Sequence, residues 1–196
     1  MNPASQPAWR RQVRNALLYV VILVAFGVIV PWRKGLDFFD PVLLCAYASM
    51  SIIFAAPAAV QAFDTRPESM TQALRRILVA AGFGELIALV MLFFGCLTVW
   101  LTHARLLIGL DLETLGYGLL FGLAASVALA ALAGWVAVQF SSSIARAVVR
   151  LVFLGLLVAF FLKARWLPGV ALNAAVVAAA VAAVFLLLLR SSLRRA

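Results

Sequence analysis

Six apolar runs separated by short charged connections divide the chain, at Ala16–Trp32, Pro41–Phe63, Val79–Leu101, Leu115–Phe140, Ala147–Leu162 and Trp166–Leu189. An α-helix crosses the hydrocarbon core of a bilayer with about 20 mostly apolar residues, and shorter ones are tolerated when flanking charges snorkel. The pattern therefore predicts an all-α membrane protein with six transmembrane helices, residues 1–196 forming a single membrane domain. The fifth run is the shortest, and two forms are open to it: a partial helix that dips into the bilayer, or a hairpin merged with the sixth.

Two polar stretches carry patterns of their own. Trp9, Val13 and Leu17 recur four apart beside Arg10, Arg11 and Arg14, so residues 5–15 read either as an amphipathic elbow in the headgroup layer or as a disordered basic tail. Between the second and third runs, Thr65 and Glu68 have the T-x-x-E spacing of a capping box. Pro67 is tolerated in a first turn, and Arg75 and Arg76 fall where a helix dipole favours cations. Met70, Ala73, Leu74 and Ile77 recur at i, i+3, i+4 and i+7, which predicts a separate amphipathic helix with one apolar stripe. Such a helix either anchors a loop flat on the membrane or docks into a groove on a partner.

Composition sharpens the membrane reading. Hydrophobic residues make up 66% of the 196 positions and charged residues 12%, too few charges to cover a water-soluble domain of this size. The net charge of +9 does not point to nucleic acid, because the basic residues lie between the apolar runs. Eleven of the 16 basic residues fall in one set of alternate segments: Arg10, Arg11, Arg14, Arg66, Arg75, Arg76, Arg146, Arg150, Arg190, Arg194 and Arg195. The opposite set holds Arg33, Lys34, Arg105, Lys163 and Arg165 together with Asp37, Asp40, Asp111 and Glu113. By the positive-inside rule this places both termini in the cytoplasm. The first run has a basic start like a signal peptide but lacks a small-x-small cleavage pattern, and is read as a retained helix.

Few residues inside the runs can do chemistry. Glu85 is the only acidic residue well within one, about 9 Å along the axis from Val79 at 1.5 Å per residue. An intramembrane carboxylate is either functional or a snorkelling group paired here with Arg75, Arg76 or Arg146. Gly118, Gly122, Ser126, Ala130 and Gly134 form a stripe of small residues four apart, suited to close packing within the bundle or at a subunit interface. Pro57 invites a kink in the second helix. Tyr47, Ser49, Ser51, Gln61 and Asn173 could face a pathway or be satisfied by neighbouring helices. Cys45 and Cys96 sit in apolar runs and His103 has no second histidine, so no disulfide framework, metal site or cofactor site is indicated. Enzymes that work within membranes need clustered acids, histidines or a serine with a base, and the runs offer no such cluster.

The basic entry, the small-residue-rich second helix (Ala46 to Gln61, AYASMSIIFAAPAAVQ), the Thr65–Ile77 segment and Gly82-Phe83-Gly84-Glu85 together resemble the type-2 class of ABC-transporter permeases. The chain differs from that family in its shorter length and in its short outer connection, Lys163 to Gly169. The resemblance implies a permease subunit of the cell inner membrane that pairs with a second permease subunit as a homo- or heterodimer. It further implies a separate ATPase, because the chain has no G-x-x-x-x-G-K-[ST] loop. Thr65, Glu68, Met70, Ala73, Leu74, Arg75, Arg76 and Ile77 then correspond to the family's coupling helix. The alternative is a non-transporting membrane scaffold that binds a partner through the same segment.

Overall fold

The computed structural model describes residues 21, 41–103, 111–140, 142–163 and 166–195. The elbow at residues 5–15 and, apart from Val21, the first apolar run lie outside the described residues. Among the described residues 92% are helical and none is in a strand. The helices are α1 (Pro41–Ala48), α2 (Ser51–Ala62), α3 (Met70–His103), α4 (Leu112–Gln139), α5 (Ser142–Lys163) and α6 (Leu167–Arg195). Four stretches are long and apolar enough to cross a membrane: Leu44–Ala62, which takes in α2 and most of α1, Met70–Leu97, Leu112–Gln139 and Leu167–Arg195. They make the chain a multi-pass membrane protein.

Side-chain exposure follows the same logic. Leu86, Phe93, Leu120, Leu151, Leu154, Val176 and Leu187 all stand on the outer surface. In water such a surface would aggregate, whereas in lipid it is the ordinary solvent-facing side. The interior is built from small residues instead, with Ala55, Ala59, Ala73, Ala88, Ala130, Ala131 and Ala171 all buried. Small side chains let helix backbones approach, which supplies packing energy where lipid tails are as apolar as leucine.

The packing fixes the direction of each helix. Phe63 meets Ala73 and Ile77, Phe54 meets Ile87 and Met91, and Leu44 and Tyr47 meet Leu92, so α3 runs antiparallel to α1 and α2. Cys45 clusters with Leu167, Ala171, Tyr117 and Phe121 at one end of the bundle. At the other end Gly134 sits against Phe63 and Leu189, and the Gln139 amide donates to Ser192 Oγ at 2.6 Å. Hence α2, α4 and α6 are mutually parallel, and α4 with α6 is the most extensive contact in the bundle.

The fifth predicted run joins these two ends. Leaving the inner-packed end of α4, where Val149 joins the main core, the chain must reach Leu167 at the opposite end. The 22-residue α5 makes the connection as one helix, whose apolar stretch, Ala147–Leu156, is shorter than those of the four spans. The same geometry gathers Arg75, Arg76, Arg150, Arg190, Arg194 and Arg195 at one end and leaves Asp111 and Glu113 at the other.

Asp111 caps α4 at that second end. Its carboxylate accepts from the backbone N–H groups of Glu113 and Thr114 at 3.1 and 3.0 Å and from the Thr114 hydroxyl at 2.6 Å. The Thr114 hydroxyl bond, helped by the Thr114 N–H, holds the carboxyl below the usual aspartate range. A carboxyl with a depressed folded-state pKa stabilises fully above its unfolded value and loses that contribution as pH falls through the folded value. The protection of the Glu113 and Thr114 amides, taken relative to intrinsic exchange at each pH, is therefore expected to fall on acidification below the ordinary aspartate range. Asp111→Ala should exchange fast at every pH.

Candidate functional site at a broken membrane helix

The second predicted run does not form one helix. It breaks at Ser49 and Met50, between α1 and α2. The Ser49 N–H and hydroxyl both donate to the Cys45 carbonyl, at 3.0 and 2.7 Å, and the hydroxyl also approaches the Gly118 carbonyl at 3.4 Å. A serine bonding back to the preceding turn competes with the helical ladder. From there the ladder tightens to i→i−3: Met50 N–H to Tyr47 O at 3.1 Å, Ile52 N–H to Ser49 O at 3.4 Å and Ile53 N–H to Met50 O at 2.9 Å. Pro57, the expected kink, lies inside an uninterrupted α2. The true break is several residues earlier, where the Ser49 side chain supplies the alternative hydrogen bonds.

Glycines clamp the break from two sides. A Cβ on Gly84 of α3 would lie 2.5 Å from Ser51 O and 2.9 Å from Ala55 N. On α4, a Cβ at Gly118 would lie 2.7 Å from Ala48 Cβ, and one at Gly122 would collide with Ser51 Oγ and come within 3.0 Å of Ala48 O. Ser51 thus touches both neighbouring helices at once. The Glu85 carboxyl adjoins the Ser51 side chain, yet Ser51 Oγ, Glu85 Oε2 and Ser126 Oγ are buried atoms without a hydrogen-bond partner. Ser51 and Ser126 are each 0% exposed. Leaving a buried polar atom unsatisfied costs about 1–3 kcal/mol, so Ser51 Oγ and Glu85 Oε2, side by side at the helix break, mark the place where stability has been given up.

The small-residue stripe divides along its length. Gly118 and Gly122 receive α1 and α2, Ser126 and Ala130 are fully buried, and Gly134 receives Phe63 and Leu189. Glu85 does not take Arg76 as a partner: the Arg76 guanidinium donates to Thr65 O at 2.6 Å and Thr65 Oγ1 at 3.2 Å, and lies 5.9 Å from the centre of the Phe63 ring. Arg75 is exposed. Tyr47 and Ser49 are buried, whereas Gln61 and Asn173 point outward.

The segment expected as a separate coupling helix takes a different form. The Thr65–Glu68 capping box is not made. The cap is four residues later, where the Gln72 N–H donates to Ser69 Oγ at 3.2 Å and the Glu68 N–H to Gln72 Oε1 at 2.8 Å. Thr65 is engaged by Arg76 instead, and Pro67 is buried in the connection. Helix α3 then runs from Met70 to His103 without interruption, so Met70, Ala73, Leu74, Arg75, Arg76 and Ile77 are its first turns. The expected stripe splits: Ala73 and Ile77 are buried with Met70 packed beside them, while Leu74 is 38% exposed. Leu74 joins Thr71, Arg75, Leu78 and Val79 in lining a shallow outer depression.

The break at Ser49 and the seating of Gly84 were not foreseen from sequence. The available signal was the pair Ser49 and Ser51 in mid-run, opposite a glycine next to the one acidic residue of the third run. No protein-family model, no curated protein and no solved structure matches this chain.

Proposed function

We propose that this chain is the membrane-spanning subunit of an inner-membrane permease, with six crossings and both termini cytoplasmic, driven by an ATPase on a separate chain. The observation that carries the reading is the continuity of α3. Its first turns present the outward ridge Thr71, Leu74, Arg75 and Leu78 at the arginine-rich end, and its middle places Gly84 and Glu85 against the helix break. The helix has 34 residues, about 51 Å at 1.5 Å per residue, well beyond a hydrocarbon core of about 30 Å. A partner pushing on the ridge would act on a rigid rod whose middle bears on the weakest point of the bundle. The Arg76–Thr65 clamp ties that rod to the end of α2, so the two helices move together.

Gathering arginines at one end supports the orientation, since that end is expected to face the cytoplasm. Asn173, exposed on an otherwise apolar span, supports a second permease subunit, because an amide in lipid gains by bonding across to another helix. The same exposed ridge also favours a second reading, a scaffold that recruits a protein partner without transport.

Leu74→Asp distinguishes them. Leu74 is already exposed, so the variant should fold as the parent does. A hot-spot contact is worth about 2 kcal/mol or more, so copurification with the ATPase and stimulation of its activity should fall at least tenfold. Stable association with a partner that binds no nucleotide, and none with an ATPase, would establish the scaffold instead. Labelling that puts the two termini on opposite faces would overturn the topology.

A further inference from the structure

We propose that Glu85, seated against Ser51 at the break between α1 and α2, is a reversible proton-binding site within the membrane. The proposal goes beyond the permease reading and holds whether or not an ATPase drives the protein. An ionised carboxylate within a membrane helix is costly to leave unpaired, so something must neutralise it. Among the described side chains no cation does so; Arg146 and Lys163 lie outside them. Arg76 is committed to Thr65, Arg75 faces outward, and Arg150 and Arg190 are exposed at the arginine-rich end. Neither α2 nor α4 between Gly118 and Gln139 contains an ionisable side chain. The titratable groups of α1 face elsewhere, Cys45 toward Leu167 and Ala171 and Tyr47 toward Leu92, and Cys96 packs with that second cluster. On α3 itself, nothing else between Arg76 and Cys96 titrates. A proton from solution is the charge that neutralises it.

The surroundings suit a proton. A hydroxyl can donate to a carboxylate or accept from a carboxylic acid, and Ser51 Oγ is buried with no other partner. Ser51 can therefore serve either protonation state of its neighbour. A divalent ion wants six or more oxygen ligands, and no group of three or more His, Cys, Asp or Glu side chains exists among the described residues. The adjoining i→i−3 turns give a backbone that can re-pair when the carboxyl changes state, which is how polar groups are tolerated at membrane depth.

Dicyclohexylcarbodiimide, which attacks protonated carboxyls in apolar surroundings, tests this on the unmodified full chain in lipid nanodiscs, with Glu85 labelling read by peptide mass spectrometry. Labelling is expected at acid pH and should fall about tenfold per pH unit above its midpoint, the dependence of a single proton. Ser51→Ala should shift that midpoint. Labelling that is absent throughout, or constant across pH, would overturn the proposal, since it would mean a permanently ionised or permanently protonated group. Protection by sodium ions at constant pH would overturn it in favour of a metal cation, and an unmoved midpoint in Ser51→Ala would remove the site as described. The experiment contains no ATPase, so its failure leaves the coupling reading untouched.

Discussion

Gly84→Ala is expected to destabilise the bundle strongly while Gly82→Ala, two residues away on the same helix, leaves it as stable or slightly more so. The added carbon at Gly84 would meet the carbonyl oxygen of Ser51 at 2.5 Å and the nitrogen of Ala55 at 2.9 Å. Both are backbone atoms that cannot rotate aside, so α2 and α3 must separate along their length. Overpacking of this kind costs about 1–3 kcal/mol, and here the separation would also move Glu85 from Ser51. Gly82 has nothing within 4 Å of its would-be Cβ, and replacing an exposed helical glycine by alanine gains up to about 1 kcal/mol. Unfolding in mixed micelles by a denaturing detergent measures both. Equal midpoints would mean that α2 and α3 do not pack as described.

The second large effect is a contrast on α4. Leu129 is 2% exposed in the main core, and Leu123 is 39% exposed on the outer surface. In a water-soluble protein a buried Leu→Ala change costs about 2–5 kcal/mol through lost transfer energy plus the cavity left behind. In a bilayer the transfer part largely disappears, because lipid solvates leucine as well as the core does. Leu129→Ala is therefore expected at the low end, about 2 kcal/mol, all of it from packing. Leu123→Ala should be near zero, because lipid fills the space. If Leu123→Ala were the costlier of the two, the face of α4 turned to lipid would have been assigned wrongly.

Much of the architecture could be read from apolar run lengths, because the bilayer sets the length of a crossing helix and leaves few alternatives. The ends were less legible. Thr65 and Glu68 have the spacing of a capping box, but Ser69 and Gln72 have an equivalent one, and the burial of Pro67 together with Arg76 reaching back to Thr65 selects the later start. Such a choice depends on a contact between residues 11 apart, which local pattern does not contain. Pro57 and Ser49 show the same limit: the proline is the louder local signal, but the helix yields where Ser49 finds Cys45 O and Gly118 O.

The candidate site was half visible. Glu85 stands out in any reading because it is the acidic residue within a run, and the α4 glycines stand out by their spacing. What brings them together is the seating of Ser51 between Gly84 and Gly122, and that is a property of three helices at once. The parallel relation of α2, α4 and α6 was likewise implied by alternation, but which pair would dominate was not, since the alanine-rich α6 offers small residues on several faces.

The dominance of the α4–α6 pair bears on how the molecule is made. A nascent chain releases α4 before its main mate exists, because α5 is made between them. In that interval the groove around Gly134 and the amide of Gln139 lack Leu189 and Ser192. One flank of α4 thus stays open until α6 is made, and consolidation of the tertiary structure waits on the arrival of α6.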